Sequence, residues 1–265
     1  MQQKKHLDQL LVERGLTPSL SKAQALILAG GVWVKGQKIE KPGHLFSPDV
    51  AIELKGKSTP FVSRGGEKLD HALKTFALNV EGWRFLDIGA STGGFTDCLL
   101  KSGALSVVAV DVGYGQLAWS LRQDPRVRLF EKTNIRQFSR KSLTGPVDRA
   151  PGPWSPGGAM GPVDGITIDV SFISLKKVIP LLPPFLKPQG TVLALVKPQF
   201  EVTREEVGKK GVVKDPRLHE RVLLEIRHCL EKEGFQIQKE APSPLLGPEG
   251  NKEFFLWATL TPRPS

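Results

Sequence analysis

The amino-acid sequence predicts an α/β protein: a doubly wound parallel sheet preceded by a small α+β unit. Three observations lead there. Between about residues 86 and 258 short apolar runs alternate with helical segments, the pattern of a parallel sheet covered by helices on both faces. A glycine-rich turn, Gly89-Ala90-Ser91-Thr92-Gly93-Gly94, follows the first of those runs and opens a helix. The first 60 residues show another pattern, two short amphipathic helices followed by strand-like alternation. A chain of 265 residues has room for both units.

The N-terminal unit, residues 1–60, begins with Leu7, Leu10, Leu11 and Val12 at helical spacing, closed by Gly15. A second helix starts after Ser19 or Ser21, carries Ala23, Leu26, Ile27 and Leu28, and stops at Gly30-Gly31. Val32-Trp33-Val34, a turn at Lys35-Gly36-Gln37 and the alternating Val50 to Leu54 complete it as a small curled sheet. Nine Lys or Arg stand against five acids here, within a chain whose net charge is +10. Such a field favours polyanions, nucleic acid above all, without specifying one.

Residues 61–66 read as a short linker around Pro60 and Phe61, and residues 67–265 as the second domain. Its strands are expected at 84–88, 107–110, 127–130, 165–168, 191–196, 235–239 and 254–260. Residues 145–165 interrupt them with five prolines and six glycines, and Gly145-Pro146-Val147-Asp148 returns as Gly161-Pro162-Val163-Asp164. Too few core formers remain to bury anything, so a disordered insertion is expected.

Several classes are excluded or disfavoured. Cys98 and Cys229 lack metal-ligand spacing and form no disulfide framework, so no metal site is expected. No stretch approaches the ~20 apolar residues of a membrane helix, and Met1 to Leu10 lacks the apolar core of a secretory signal. A cytoplasmic protein without a membrane partner or an obligate protein partner is expected.

The segment from Asp87 through Gly89, Ala90, Ser91, Gly93 and Gly94 to Phe95 forms the candidate cofactor site, Rossmann-like in its strand-turn-helix order. Asp111, 22 positions after Gly89 and at the end of the next strand, has the spacing at which an acid accepts from a ribose diol. The glycines do not follow the Gly-x-Gly-x-x-Gly spacing that helps to hold a pyrophosphate. Asp87 would repel that group but suits the ammonium of a methionine moiety, so the cofactor is read as S-adenosylmethionine.

Methyl transfer from a sulfonium to a hydroxyl needs alignment and removal of the hydroxyl proton. A lysine oriented by carboxylates and lying beside another cation can take that proton. Four segments supply one such residue each: Lys68 in Ser63-Arg64-Gly65-Gly66-Glu67-Lys68, Asp169 in Ile168-Asp169-Val170-Ser171-Phe172, Lys197 in Val196-Lys197-Pro198-Gln199-Phe200, and Glu253 in Gly250-Asn251-Lys252-Glu253-Phe254. Asp169 and Lys197 follow apolar strands, at the carboxyl edge where open sheets bind ligands.

These motifs, in this order, closely resemble the TlyA branch of the FtsJ-like ribose 2′-O-methyltransferases, a class I S-adenosylmethionine-dependent fold whose members have also been labelled haemolysins. The N-terminal segments Leu7 to Leu11, Ser21 to Ala25 and Gly31 to Gly36 resemble the S-four-like RNA-binding domain. The resemblance implies a catalytic tetrad of Lys68, Asp169, Lys197 and Glu253, with Lys197 as base. It also implies cofactor contacts from Gly89, Ala90, Ser91, Asp111 and the Asn134 loop, with Asp169 bordering both sites. Its implied substrate is ribosomal RNA or ribosomal subunits, at cytidine ribose. A base methyltransferase is disfavoured because Asp169-Val170-Ser171-Phe172 lacks the Pro-Pro-aromatic sequence of amino-directed enzymes. A non-catalytic RNA-binding assembly factor and, further behind, a membrane-lytic protein remain as alternatives. Residues 201–215, charged and punctuated by glycine, have the composition of a lid.

Overall fold

The protein, as a computed structural model, describes residues 4–28, 30–54, 59–139 and 161–261. It divides into two compact units, residues 1–58 and 59–265.

The first unit contains β1 (Lys5–His6), α1 (Leu7–Glu13), α2 (Leu20–Leu28), β2 (Val32–Val34), β3 (Gln37–Lys38), β4 (Leu45–Phe46) and β5 (Ile52–Leu54). Leu7, Leu10 and Leu11 on one face of α1 and Ala23 and Ile27 of α2 close over Val32 and Val34 of the central strand, and all seven are buried. The β2–β3 hairpin turns on Lys35 at φ 51° and Gly36 at φ 75°, two positive angles in a two-residue loop, which match the twist of the flanking strands. Arg14 donates to Val50 O at 2.7 Å and to Pro48 O, so this cation holds a loop. Lys5 pairs with Glu13 and Lys38 with Glu40, whereas Lys22, Lys35 and Lys41 are exposed.

The second unit begins with α3 (Arg64–Phe76), then β6 (Arg84–Ile88), α4 (Gly94–Lys101), β7 (Ser106–Val110), α5 (Trp119–Gln123), β8 (Val127–Phe130) and β9 (Val163–Ile168). After a series of 3-10 turns come β10 (Leu186–Val196), α6 (Pro216–Lys232), β11 (Phe235–Pro242) and β12 (Phe254–Leu260). The strands form one seven-stranded sheet in the order β11-β12-β10-β9-β6-β7-β8. Successive strand residues face opposite layers. Phe85, Val107 and Leu193 pack with Leu69, Leu73 and Phe76 of α3 and Leu99 of α4. Leu86, Val108 and Val192 pack with Val222, Ile226 and Leu230 of α6. Fully burying such side chains contributes roughly 1.5–3 kcal/mol each, and the two layers fix the sheet from both sides.

Three expectations need correction. Residues 61–66 are not a linker: Arg64, Gly65 and Gly66 are the first turn of α3, and Val62 N donates to Asp97 Oδ2 at 2.8 Å. Most of the expected 145–165 insertion lies outside the described residues, but Val163, Asp164 and Gly165 already belong to β9. Asp164 there accepts from Arg84 N at 2.9 Å and from Lys187 Nζ at 2.5 Å, which ties the strand start to both neighbouring strands. The sheet is also not wholly parallel. β12 returns from β11 and runs antiparallel to both β11 and β10, with Phe254 opposite Val196. Its beginning therefore lies at the edge where the parallel strands end.

Candidate active site

A cleft of about 460 Å³ opens at that carboxyl edge. Ser63, Arg64, Gly65 and Lys68 of the α3 start form one wall; Gly89, Ala90, Ser91, Thr92, Gly94 and Phe95 form the floor. Asp169, Ser171 and Lys197 close a third side, and Leu246, Gly247 and Glu249 a fourth.

At its two glycines the floor is main chain because side chains do not fit there. Gly89 adopts φ +85°, and a Cβ there would lie 2.5 Å from Asp169 O; a Cβ on Gly94 would lie 2.8 Å from Gly66 N. Ser91 continues the tight turn at φ 48°. Such a cradle suits a long polar cofactor laid against backbone. Asp111 holds its rim: Oδ2 accepts from Ser91 N at 2.7 Å and Oδ1 from Gly113 N at 2.6 Å. A carboxylate accepts about four hydrogen bonds, so Asp111 retains capacity for a ribose diol.

The basic and acidic candidates form two ion pairs. Lys197 Nζ lies 2.6 Å from Asp169 Oδ1 and donates to Ser171 Oγ at 3.0 Å. Pro198 disfavours helix at the residue before it, and Lys197 has φ −118° and ψ 97°, extended at the end of β10. Lys68 Nζ lies 2.5 Å from Glu253 Oε2. Lys68 and Lys197 are 8% exposed and Glu253 is 2% exposed, so removing one partner of a pair would strand a buried charge. The antiparallel register of β12 explains Glu253, which precedes that strand and so falls at the carboxyl edge with the others.

Not every sequence candidate lines the cleft. Asp87 lies beneath it, fully buried, and the reading of its carboxylate as a direct partner of a methionine ammonium is not what the geometry provides. Oδ2 accepts from Thr96 Oγ1 at 2.7 Å and Oδ1 from Thr167 Oγ1 at 2.8 Å. Burial pushes this carboxyl up to about 6, although the two threonine hydroxyls pull it down. Gly93, φ +95°, shapes the turn into α4, where a Cβ would meet Leu121 Cδ1 at 2.3 Å. Asn134 is set back as well: its Oδ1 accepts from Arg136 N at 3.0 Å, and its loop joins the Asp111 loop through Thr133 N to Asp111 O at 2.9 Å.

Leu246 and Gly247 were missed in the sequence. The signal was present in Ser243-Pro244-Leu245-Leu246-Gly247-Pro248, a turn-rich stretch shortly before Glu253. Residues 201–215 are more firmly held than a free lid. Glu201 accepts from Ser174 Oγ at 2.5 Å and Leu175 N at 2.7 Å, and Glu206 forms a two-bond pair with Arg221 at 2.6 Å and 2.6 Å. Asn251, 3% exposed, accepts from Val213 N at 3.0 Å and donates to Gly211 O at 2.9 Å.

A sheet wound in this order around a glycine-floored cleft defines the class: the second unit has the architecture of methyltransferases that use S-adenosylmethionine. Residues 61–260 match the FtsJ-like methyltransferase family and residues 6–52 the S4 domain. The chain belongs to the FtsJ-like methyltransferase family, and its cofactor is S-adenosylmethionine. It is 43% identical to the 16S/23S rRNA (cytidine-2′-O)-methyltransferase TlyA of Mycobacterium tuberculosis, over 97% of this chain and 90% of that protein. It is 45% identical to a Bacillus subtilis protein provisionally named rRNA methyltransferase YqxC, over 96% of this chain and 85% of that one. The solved structure of a Streptococcus thermophilus protein, provisionally named a hemolysin, is similar at TM-score 0.73 and 39% identity, covering 100% of this chain and 91% of that chain. Among the described residues no helix is long and apolar enough to cross a membrane.

Proposed function

We propose that this protein methylates the ribose 2′-hydroxyl of cytidine in ribosomal RNA, working in the cytoplasm on ribosomal subunits that its N-terminal S4 domain helps to bind. The observation that carries the reading is the placement of Lys197, paired with Asp169 and Ser171, on the wall of a cleft whose floor is bare main chain at Gly89 and Gly94. Gly89, Ala90, Ser91, Gly94 and Phe95 line the cofactor end of the cleft, while Asp111 and the Asn134 loop support its rim. S-adenosylmethionine supplies a methyl group on a positively charged sulfur. Lys197 Nζ would receive the hydroxyl proton as the ribose oxygen takes the methyl group, which the bound cofactor would supply while its sulfur keeps the electron pair. Asp169 and Ser171 orient that amine, and the Lys68–Glu253 pair orders the adjoining wall. Exposed Lys22, Lys35 and Lys41 on the N-terminal unit supply charge toward RNA phosphates.

The test is transfer of labelled methyl from S-adenosylmethionine to ribosomal subunits that lack the modification, followed by nucleoside analysis. A labelled 2′-O-methylcytidine is the expected product. Label on a base would overturn the ribose assignment. Tight cofactor binding with no transfer to either subunit would favour a non-catalytic RNA-binding role.

A further inference from the structure

Gly247 lies on the cleft wall in the turn between β11 and β12. A Cβ at this position would lie 2.2 Å from Glu253 Oε1 and 2.8 Å from Glu253 Cδ. Its backbone is not among the left-handed positions, so the obstacle to a side chain is space and not conformation.

Neither partner has room to yield. Glu253 is 2% exposed, and its Oε2 is held 2.5 Å from Lys68 Nζ. The turn above it is closed by Gly247 N donating to Asn251 O at 2.8 Å and Gly250 N donating to Gly247 O at 3.2 Å. Arg64 Nη2 anchors it further by donating to Leu246 O at 3.0 Å. Glu253 Oε1 has no hydrogen-bond partner among the described residues, so its position depends on packing against this turn while Oε2 is fixed by charge. We propose that Gly247 is a positioning residue for methyl transfer: the space left by its missing side chain seats the Glu253 carboxylate and thereby sets where Lys68 stands on the cleft wall. The inference rests on the catalytic reading of the Lys68–Glu253 pair and adds to it a residue outside the four.

Gly247→Ala in the full-length protein tests it by steady-state methylation of ribosomal subunits and by calorimetric binding of S-adenosylmethionine. A misplaced reacting wall lowers kcat by on the order of 10²-fold, with cofactor affinity unchanged. Full kcat, or a loss confined to cofactor affinity, overturns the proposal, the latter because it means that the new methyl group simply fills the cleft. Glu253→Asp, shorter by one methylene, separates seating from general damage. In the double variant Gly247→Ala/Glu253→Asp, kcat is expected to be no lower than in Glu253→Asp alone, a non-additive cycle, whereas additive losses overturn the proposal. Should Gly247→Ala fail to fold, recovery of Tm in the double variant supports it and no recovery overturns it. A fully active Glu253→Ala would instead remove the catalytic reading of the pair. The seating is then read alone from a crystal structure of Gly247→Ala, where a broken Lys68–Glu253 contact is expected and an intact one refutes it.

Discussion

Lys197 Nζ stands 2.6 Å from Asp169 Oδ1 because both residues follow the ends of neighbouring parallel strands, paired at Ala194 and Ile168. The carboxylate and the Ser171 hydroxyl both contact Nζ, and in the proposed reading they aim it. Lys197→Ala is expected to lower kcat by roughly 10²–10⁴-fold, the usual contribution of a positioned general base, while the variant still binds S-adenosylmethionine. Lys197→Arg is expected to be as poor, since a guanidinium does not give up its proton. Single-turnover methylation by the two variants checks this. An active arginine variant would mean that position 197 supplies charge alone.

Gly89 and Asp169 meet in the same way across β6 and β9, which pair Ile88 with Ile168. Because Gly89 sits at φ +85° and a Cβ added there would lie only 2.5 Å from Asp169 O, Gly89→Ala combines backbone strain with a clash against main chain. It is expected to destabilise the fold by about 2 kcal/mol or more and to weaken cofactor binding. Urea denaturation and calorimetry measure the two effects. Wild-type affinity in a folded Gly89→Ala protein would contradict the cradle.

Much of this cleft was legible in sequence. The glycine turn after Ile88, and Asp169 and Lys197 after apolar strands, follow from one rule, that parallel strands present ligands at their carboxyl ends. Lys68 and Glu253 entered through residue type and, as members of a tetrad, through resemblance, because neither follows a parallel strand. Lys68 comes from a helix that precedes the sheet, and Glu253 from the start of a strand whose direction is reversed. Apolar alternation in Phe254 to Leu260 looks the same in either direction, so the reversal was hidden. Asp87 was placed at the cofactor for a related reason: period-two alternation puts it on a face, but it does not reveal that its carboxylate is fully buried outside the cleft lining, where Thr96 and Thr167 donate to its oxygens.

Asn251 connects residues 211–213 to the turn that leads into Glu253. Replacing it by alanine leaves Val213 N–H and Gly211 C=O without their present partners; Val213 is buried, so its unmet donor costs about 1–3 kcal/mol, whereas Gly211 is exposed and its carbonyl can turn to water. Asn251→Ala is therefore expected to loosen residues 203–214 first. Faster amide exchange at Val213 and quicker tryptic cleavage at Lys210 or Lys214 are the readouts. Asn251→Asp keeps the acceptor for Val213 N and is expected to fall between the two. Exchange at Val213 as slow in the alanine variant as in the parent would show that this segment is held by other contacts.

Asp87 gives the protein a pH-dependent stability. Its carboxyl titrates at 3.8 when unperturbed and at about 6 in the fold, chiefly because burial penalises the charged form. Folding therefore favours the protonated acid, so its stabilising contribution is complete below about pH 4 and is lost as pH rises through about 6. A shift of this size corresponds to about 3 kcal/mol between those limits. Asp87→Asn removes the titration while keeping an oxygen for one threonine hydroxyl and an amide for the other, whose hydroxyl can turn to accept. Urea denaturation of parent and variant across about pH 4.5 to 7, the window that brackets the shifted titration, should show the parent losing stability relative to the variant as pH rises. A difference that stays flat across that range would mean that the buried carboxyl does not take up a proton there, and that the hydroxyls of Thr96 and Thr167 outweigh the cost of burial.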